Sequence, residues 1–200
     1  LKDWGCGTKT YDGHRGTDMG VGGFAGMDAG RDVVTAAPGV VTAINVGAFD
    51  RCTTGSCAGG GGFGNYVAIQ HTDGKITYYA HLKKFTVAVA VGDTVTCGQK
   101  LGQVGSSGSS TGPHLHFEPR LNGVSDDPFS GSCGGPISWW VDQGSYLGLP
   151  ETACQDARPA LPLMTLGTEI DPIPGQDADM YPEGESSGIF DLEAGQTATV

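Results

Sequence analysis

The sequence predicts a mainly β fold built on antiparallel sheet, and three observations predict it. Glycine supplies 35 of 200 residues, far above the usual ~7% and without the period-three repeat of collagen, which implies many tight turns between short strands. Short β-type runs recur from Asp32 to Glu118. No amphipathic helix of about 12 residues can be read before residue 136.

Taken in order, residues 1–31 are Gly- and Asp-rich with no sustained helical period. From Asp32 the texture changes to Val33-Val34 and then Val40 to Val46, two β-type runs. Residues 47–64 form a Gly- and Cys-containing loop. Tyr66 to Gln70 reads as a strand, Thr72 to Lys75 as a turn and Ile76 to Ala80 as the returning strand. Asp-Gly between two β-type runs is a strong hairpin signal. Phe85 to Val91 alternates large and small residues, as a strand with one packed face would. Turns at Gly92-Asp93 and Gly98-Gln99 precede a short strand from Leu101 to Val104, a Ser/Gly loop over 105–112 and a strand from His114 to Glu118. After Gly131, the aromatic stretch Ile137 to Leu147 is compatible with a short helix covering the domain. Beyond Pro150 the chain is Pro-rich and acidic, as linkers and extended tails are. Ile189 to Leu192 and Thr197 to Val200 resemble the start of another β unit. The chain therefore divides into a first domain over 1–135 and, over 136–200, a Trp-containing cover segment followed by a Pro-rich acidic linker or tail.

The net charge of −11 is uneven. Residues 1–150 carry 12 acidic and 10 basic side chains, whereas 151–200 carry 10 acidic side chains and only Arg158. A nucleic-acid partner is disfavoured, because phosphate binding needs concentrated Lys and Arg. Six cysteines without a CxxC pair read as disulfides in an oxidising compartment rather than as a structural zinc site. Cys52–Cys57 is the first pairing expected, since it closes one Gly-rich loop, and Cys133–Cys154 is the second. No apolar run approaches the ~20 residues of a membrane span. No leader-like stretch opens the sequence, which reads as the mature or trimmed form of an exported protein.

The chemistry lies in the histidines. His114 and His116 alternate on a strand, so their imidazoles share a face with backbones roughly 6.6 Å apart. Both can reach one metal, or one can bind it while the other faces its water; two surface histidines are an equally good reading. His14 and Asp18 would stand roughly 13 Å apart on a straight strand, too far for one ion. The segment must curve if they act together, and Gly13 and Gly16 permit that. Two imidazole nitrogens and one carboxylate oxygen leave a position open, which is the catalytic arrangement for zinc. A zinc-activated water then needs a base and an oxyanion donor, for which His114 and His81 are available. His71, at a strand end before the turn, reads as structural, and Arg15 as a solvent-facing loop residue. Glu118 shares the histidine face, either as an acceptor for an imidazole N–H or as a solvated strand end.

His14-x-x-x-Asp18, Tyr79-Ala80-His81-Leu82 and Ser110-Thr111-Gly112-Pro113-His114-Leu115-His116-Phe117-Glu118, in that order, resemble the M23 family of zinc endopeptidases, of lysostaphin and LytM type. Gly64 to Ile69, Val91 to Val95 and Gly98-Gln99 resemble it too, so the likeness covers roughly residues 11–129. The resemblance implies a small antiparallel sheet with an open groove flanked by loops, plus an irregular C-terminal extension outside the matched region. It implies that His14, Asp18 and His116 hold one Zn2+ per chain. It assigns the general base to His114, and water orientation or stabilisation of the tetrahedral intermediate to His81. It implies a secreted, extracellular bacterial enzyme that hydrolyses peptide bonds of bacterial peptidoglycan, in cross-bridge or stem peptide and next to Gly or Ala. A monomer without a membrane span is expected. The extra residues between Ala48 and Gly62, the six cysteines and the long C-terminal extension depart from the simplest family pattern. The alternatives are a catalytically silent activator of another cell-wall hydrolase, which typically lacks some of these positions, and a protease of Gly-rich proteins.

Overall fold

A computed structural model describes residues 2–11 and 13–144, together with the backbone of three short later strands. The elements run β1 (Thr17–Gly20), α1 (Gly23–Asp28), β2 (Asp32–Val34), β3 (Gly39–Asn45), β4 (Tyr66–Gln70), β5 (Ile76–Ala80), β6 (Thr94–Val95), β7 (Lys100–Gln103), β8 (His114–Leu121) and β9 (Val124–Ser125), then β10 (Leu166–Gly167), β11 (Ile189–Phe190) and β12 (Thr197–Thr199). The main sheet has the order β1-β8-β5-β4-β3-β6, with β9 paired to β8. All its pairings are antiparallel. A second sheet has the order β12-β2-β7, and β10 pairs with β11.

The hairpin β4–β5 forms as the Asp-Gly signal requires. Gly74 takes a φ of +83°, a left-handed conformation that costs glycine nothing. The Asp73 carboxylate accepts from the Lys75 backbone N–H and closes the turn. Buried Val67, Ile69, Tyr79, Leu115 and Phe117 belong to one apolar core with Val33, Leu82, Leu101 and Val104. Tyr79 is fully buried, and its hydroxyl accepts a hydrogen bond from the Ala36 N–H at 2.9 Å. The opposite face of β8 carries His114, His116 and Glu118, so the strand's alternation separates core from site.

Several expectations are corrected. Residues 85–91 form no strand. The Ala88 N–H bonds the Leu101 carbonyl, but Phe85 is exposed and turns away at a φ of +63°. Strand β1 and the six-residue helix α1 lie where only irregular chain is read from the sequence. Residues 137–144 are irregular rather than helical, although Trp140 is buried against Phe117 and Phe129 with ring centroids 5.5 Å from each. Cys52–Cys57 pairs as expected, but Cys133 pairs with Cys6 rather than with Cys154. The Cys6–Cys133 bridge holds the N-terminal segment against the 129–135 turn, where Trp4 stacks on Phe129. Cys154 and Tyr146-Leu147 lie outside the described residues. The backbone over Ile189–Phe190 and Thr197–Thr199 is β, and β12 runs parallel to β2. Among the described residues no helix is long and apolar enough to cross a membrane.

Candidate metal and catalytic site

Strands β1 and β8 are neighbours, with Asp18 directly opposite His116 and Gly20 opposite His114. This pairing places the Asp18 carboxylate against the histidine face of β8. His14 lies just upstream of β1, and the chain bends between the two as the spacing demands: His14 Nε2 is 3.1 Å from Asp18 Oδ1. Gly16 occupies the bend because nothing larger fits there. A Cβ at that position would stand 2.5 Å from the Phe117 carbonyl oxygen and 2.8 Å from His116 Cε1.

Three donor atoms converge. His116 Nδ1 is 2.8 Å from Asp18 Oδ1 and 3.3 Å from His14 Nε2. The three candidate ligand atoms lie within 4.8 Å of one another. Asp18 is buried, and among the described residues its second oxygen, Oδ2, has no hydrogen-bond partner. A buried carboxylate oxygen without a partner is costly. A cation held by His14, Asp18 and His116 would offset that cost, and the nitrogen–nitrogen–oxygen set suits a metal of zinc's type. Burial raises the Asp18 pKa, but the surrounding imidazoles of His114, His116 and His14 reverse this and hold it well below the usual range.

The far nitrogen of His116, Nε2, is 3.3 Å from Glu118 Oε2. Glu118 is buried, and its other oxygen accepts from Arg120 Nε and from the Ser125 hydroxyl. Burial opposes the ionised carboxylate, yet these donors lower its pKa to about 2. Of the two readings for Glu118, the structure gives the acceptor of an imidazole N–H. Burial also opposes a charged His116, but the carboxylates of Asp18 and Glu118 outweigh it and raise its pKa to about 9.

The remaining two imidazoles stand beside this group. His81 and His114 meet edge to face with centroids 4.6 Å apart, and His81 is 5.6 Å from His116. His114 Nε2 lies 3.7 Å from Asp18 Oδ1. His114 Nδ1 is 2.8 Å from the Gly112 carbonyl, and His81 Nδ1 is 2.7 Å from the Ser107 carbonyl. A carbonyl only accepts, so both Nδ1 atoms carry the proton and both neutral rings keep a lone pair on Nε2. Burial lowers the pKa of each, more strongly for His81, where His114 and His116 add to it. His81 also takes a φ of +60°, a strained conformation that costs on the order of 1–3 kcal/mol and recurs at functional sites. Its backbone N–H is tied to the Phe63 carbonyl, and that of Leu82 to the Asn65 carbonyl.

All five candidate residues, His14, Asp18, His81, His114 and His116, therefore come together. His71 does not join them: its ring nitrogens meet the Pro38 carbonyl and the Thr77 hydroxyl, as a structural histidine's would. Arg15 is exposed. Tyr11, which no spacing rule singles out, stacks on His14 with centroids 4.6 Å apart. Burial and the Asp18 charge raise its pKa. A cavity of about 390 Å³ opens beside His14, between the N-terminal segment and residues 124–129.

The profile of peptidase family M23 matches residues 12–128. The DD-carboxypeptidase/endopeptidase Mpg of Neisseria meningitidis serogroup B is 41% identical over 93 residues, 46% of this chain and 21% of that protein. The peptidoglycan DD-endopeptidase ShyA of Vibrio cholerae is 37% identical over 116 residues, 58% of this chain and 22% of its own length. The matched stretch thus spans about a fifth of these relatives. Among solved structures, the catalytic domain of the prophage-encoded M23 protein EnpA of Enterococcus faecalis aligns with a TM-score of 0.47 and 30% identity. That alignment covers 64% of this chain and 86% of the catalytic-domain chain.

Proposed function

The chain belongs to peptidase family M23, and from that premise we propose that it is a secreted zinc endopeptidase of bacterial peptidoglycan. Its target is a cross-bridge or stem peptide, cut next to Gly or Ala. The observation that carries this reading is the convergence of His14 Nε2, Asp18 Oδ1 and His116 Nδ1 with two further buried imidazoles at their side. His14, Asp18 and His116 would hold one zinc. When bound, zinc supplies Lewis acidity, acidifying water and polarising a carbonyl.

The chain's own groups handle the protons. His114, its Nδ1–H fixed on Gly112, takes a proton from the attacking water at Nε2 and can return it to the leaving amine. His81, fixed the same way on Ser107, accepts at Nε2 and so orients the water. It becomes a donor to a developing oxyanion only after gaining a proton. Glu118 holds the His116 ring in place. Residues 1–135 form the peptidase domain in this reading, with the segment through Trp140 as its cover. Its disulfides suit an oxidising, extracellular setting, and it works as a monomer.

A silent activator of another hydrolase is the second reading, and the presence of all five site residues weighs against it. Proteolysis of Gly-rich proteins is the third, separable only by substrate. Mass spectrometry of fragments released from peptidoglycans with oligoglycine bridges or direct cross-links tests all three. The proposal expects defined peptide products from at least one of them. Zinc-loaded protein that cuts neither favours the activator, and cleavage of elastin-like protein alone favours the third reading.

A further inference from the structure

The loop 47–64, with its extra residues between Ala48 and Gly62, is tied to the segment that seats His81 and His114. The Cys52 N–H donates to the Ser106 carbonyl at 2.8 Å, the Cys57 N–H to Gly108 at 3.0 Å and the Gly55 N–H to Ser110 at 3.1 Å. In return the Ser106 N–H bonds the Asp50 carbonyl, and its hydroxyl donates to the Cys52 carbonyl at 2.6 Å. Ser106, Ser107 and Ser110 are fully buried, as is Cys52.

The carbonyls of this segment alternate in direction. Those of residues 106, 108 and 110 face the disulfide loop. Those of 105 and 107 face the histidines: Gly105 accepts from the His114 backbone N–H at 3.2 Å, and Ser107 accepts from His81 Nδ1. The Ser110 hydroxyl donates to the Gly112 carbonyl at 2.7 Å, and that same carbonyl receives His114 Nδ1. One strip of backbone thus has the disulfide loop on one side and both imidazoles on the other. The loop that holds it includes Gly55 and the run Gly59 to Gly62, a stretch with large conformational freedom unless cross-linked. Cys52–Cys57 closes the part of that stretch around Gly55, immediately before Gly59 to Gly62.

We propose that the Cys52–Cys57 disulfide is a positioning element for His81 and His114, acting through residues 105–112. It is not one of the candidate metal ligands, which are His14, Asp18 and His116. It keeps three backbone donors in place, and they keep the two Nδ1 acceptors, which set the direction of both Nε2 lone pairs. This rests on reading His81 and His114 as the proton-handling groups. Small misplacement of such groups is expensive in rate, while the three metal ligands stand on β1, its approach and β8, outside the clamped segment.

The test compares the Cys52→Ala/Cys57→Ala double variant with the wild type and with Cys6→Ala/Cys133→Ala, which opens the other disulfide. Zinc content, thermal unfolding and kcat and KM on a fluorogenic oligoglycine peptide are measured, together with the imidazole N–H proton signals of His81 and His114 by NMR. The expected result for the first variant is a kcat lowered roughly tenfold or more, with KM and zinc content unchanged and both N–H signals broadened by exchange. The second variant is expected to unfold at lower temperature and to keep both signals and its kcat. Wild-type kcat with sharp signals in the first variant overturns the proposal, as does a loss that follows zinc or KM. If that variant does not fold, Ser106→Ala, which removes the hydroxyl tie to Cys52, is read in its place. It is expected to lower kcat with KM unchanged, and a wild-type kcat overturns the proposal. A wild type that cuts no oligoglycine peptide counts against that substrate, and the N–H signals still decide the positioning role.

Discussion

Glu118 Oε2 sits 3.3 Å from His116 Nε2, on the side of the ring opposite the Asp18 contact. The ring is therefore gripped from both ends, and Arg120 and Ser125 grip Glu118 in turn. Outer partners of this kind fix a ligand's tautomer and orientation, and losing one typically costs ~10–100-fold in metal affinity. Glu118→Ala is expected to weaken zinc binding by that factor, read by competition against a chelating dye. Unchanged affinity would reduce Glu118 to a structural carboxylate.

Removing a ligand should do more. Asp18→Ala and His116→Ala are expected to lose the one zinc per chain and all measurable hydrolysis, checked by elemental analysis of the purified proteins. Removing the zinc from the wild type with a chelator should abolish hydrolysis in the same way, and restoring zinc should return it. Retention of a full equivalent of zinc by either variant would exclude the proposed ligand set.

His114→Ala separates metal from turnover. His114 lies next to Asp18 Oδ1, at 3.7 Å, yet its own Nδ1 is committed to Gly112. The variant is expected to keep most of its zinc while kcat falls by roughly 10²–10⁴, the usual contribution of a positioned base. Steady-state kinetics on the zinc-loaded variant checks this, and full activity would sink the assigned role.

Much of this site is legible in the sequence because its parts are local. The HxH alternation needs only a strand, and the required curvature between His14 and Asp18 follows from donor geometry. Strands β4 and β5 are read residue for residue, since the Asp73-Gly74 turn fixes both ends. The contacts that hold the site are less legible. Ser106, Ser107 and Ser110 belong to a Ser/Gly run with no pattern of its own, and their roles come from a loop some 50 residues earlier. Tyr11 meets His14 through a bend that no periodicity marks. Phe85 to Val91 alternates in size but not in burial: Phe85, Val89 and Val91 would share one face of a strand, yet Val89 is buried while Phe85 and Val91 are exposed. Size alternation alone does not make a strand where no neighbouring strand completes the ladder.

Gly16 is a position where sequence freedom is removed by backbone proximity. Gly16→Ala would press a methyl group against the Phe117 carbonyl at 2.5 Å and against the His116 ring. The carbonyl belongs to the central β8 ladder and cannot yield cheaply. The expected cost is about 1–3 kcal/mol of stability, with weaker zinc binding because the His116 ring must move. Chemical denaturation with and without zinc measures both, and an unaltered midpoint in both conditions would contradict the packing argument.

The Cys6–Cys133 bridge joins residues 127 apart in sequence, so its effect on the unfolded chain is large. It also brings Trp4 onto Phe129, which in turn packs on Trp140 in the core. Replacing both cysteines by alanine is expected to cost about 2–5 kcal/mol, roughly 4–20 °C in melting temperature for a domain of this size. Because none of the five site residues lies between Trp4 and that core, the folded fraction should keep its zinc and its kcat. Differential scanning calorimetry paired with zinc analysis decides the matter. A large loss of zinc at temperatures where the variant remains folded would show that the N-terminal segment shapes the His14 side of the site.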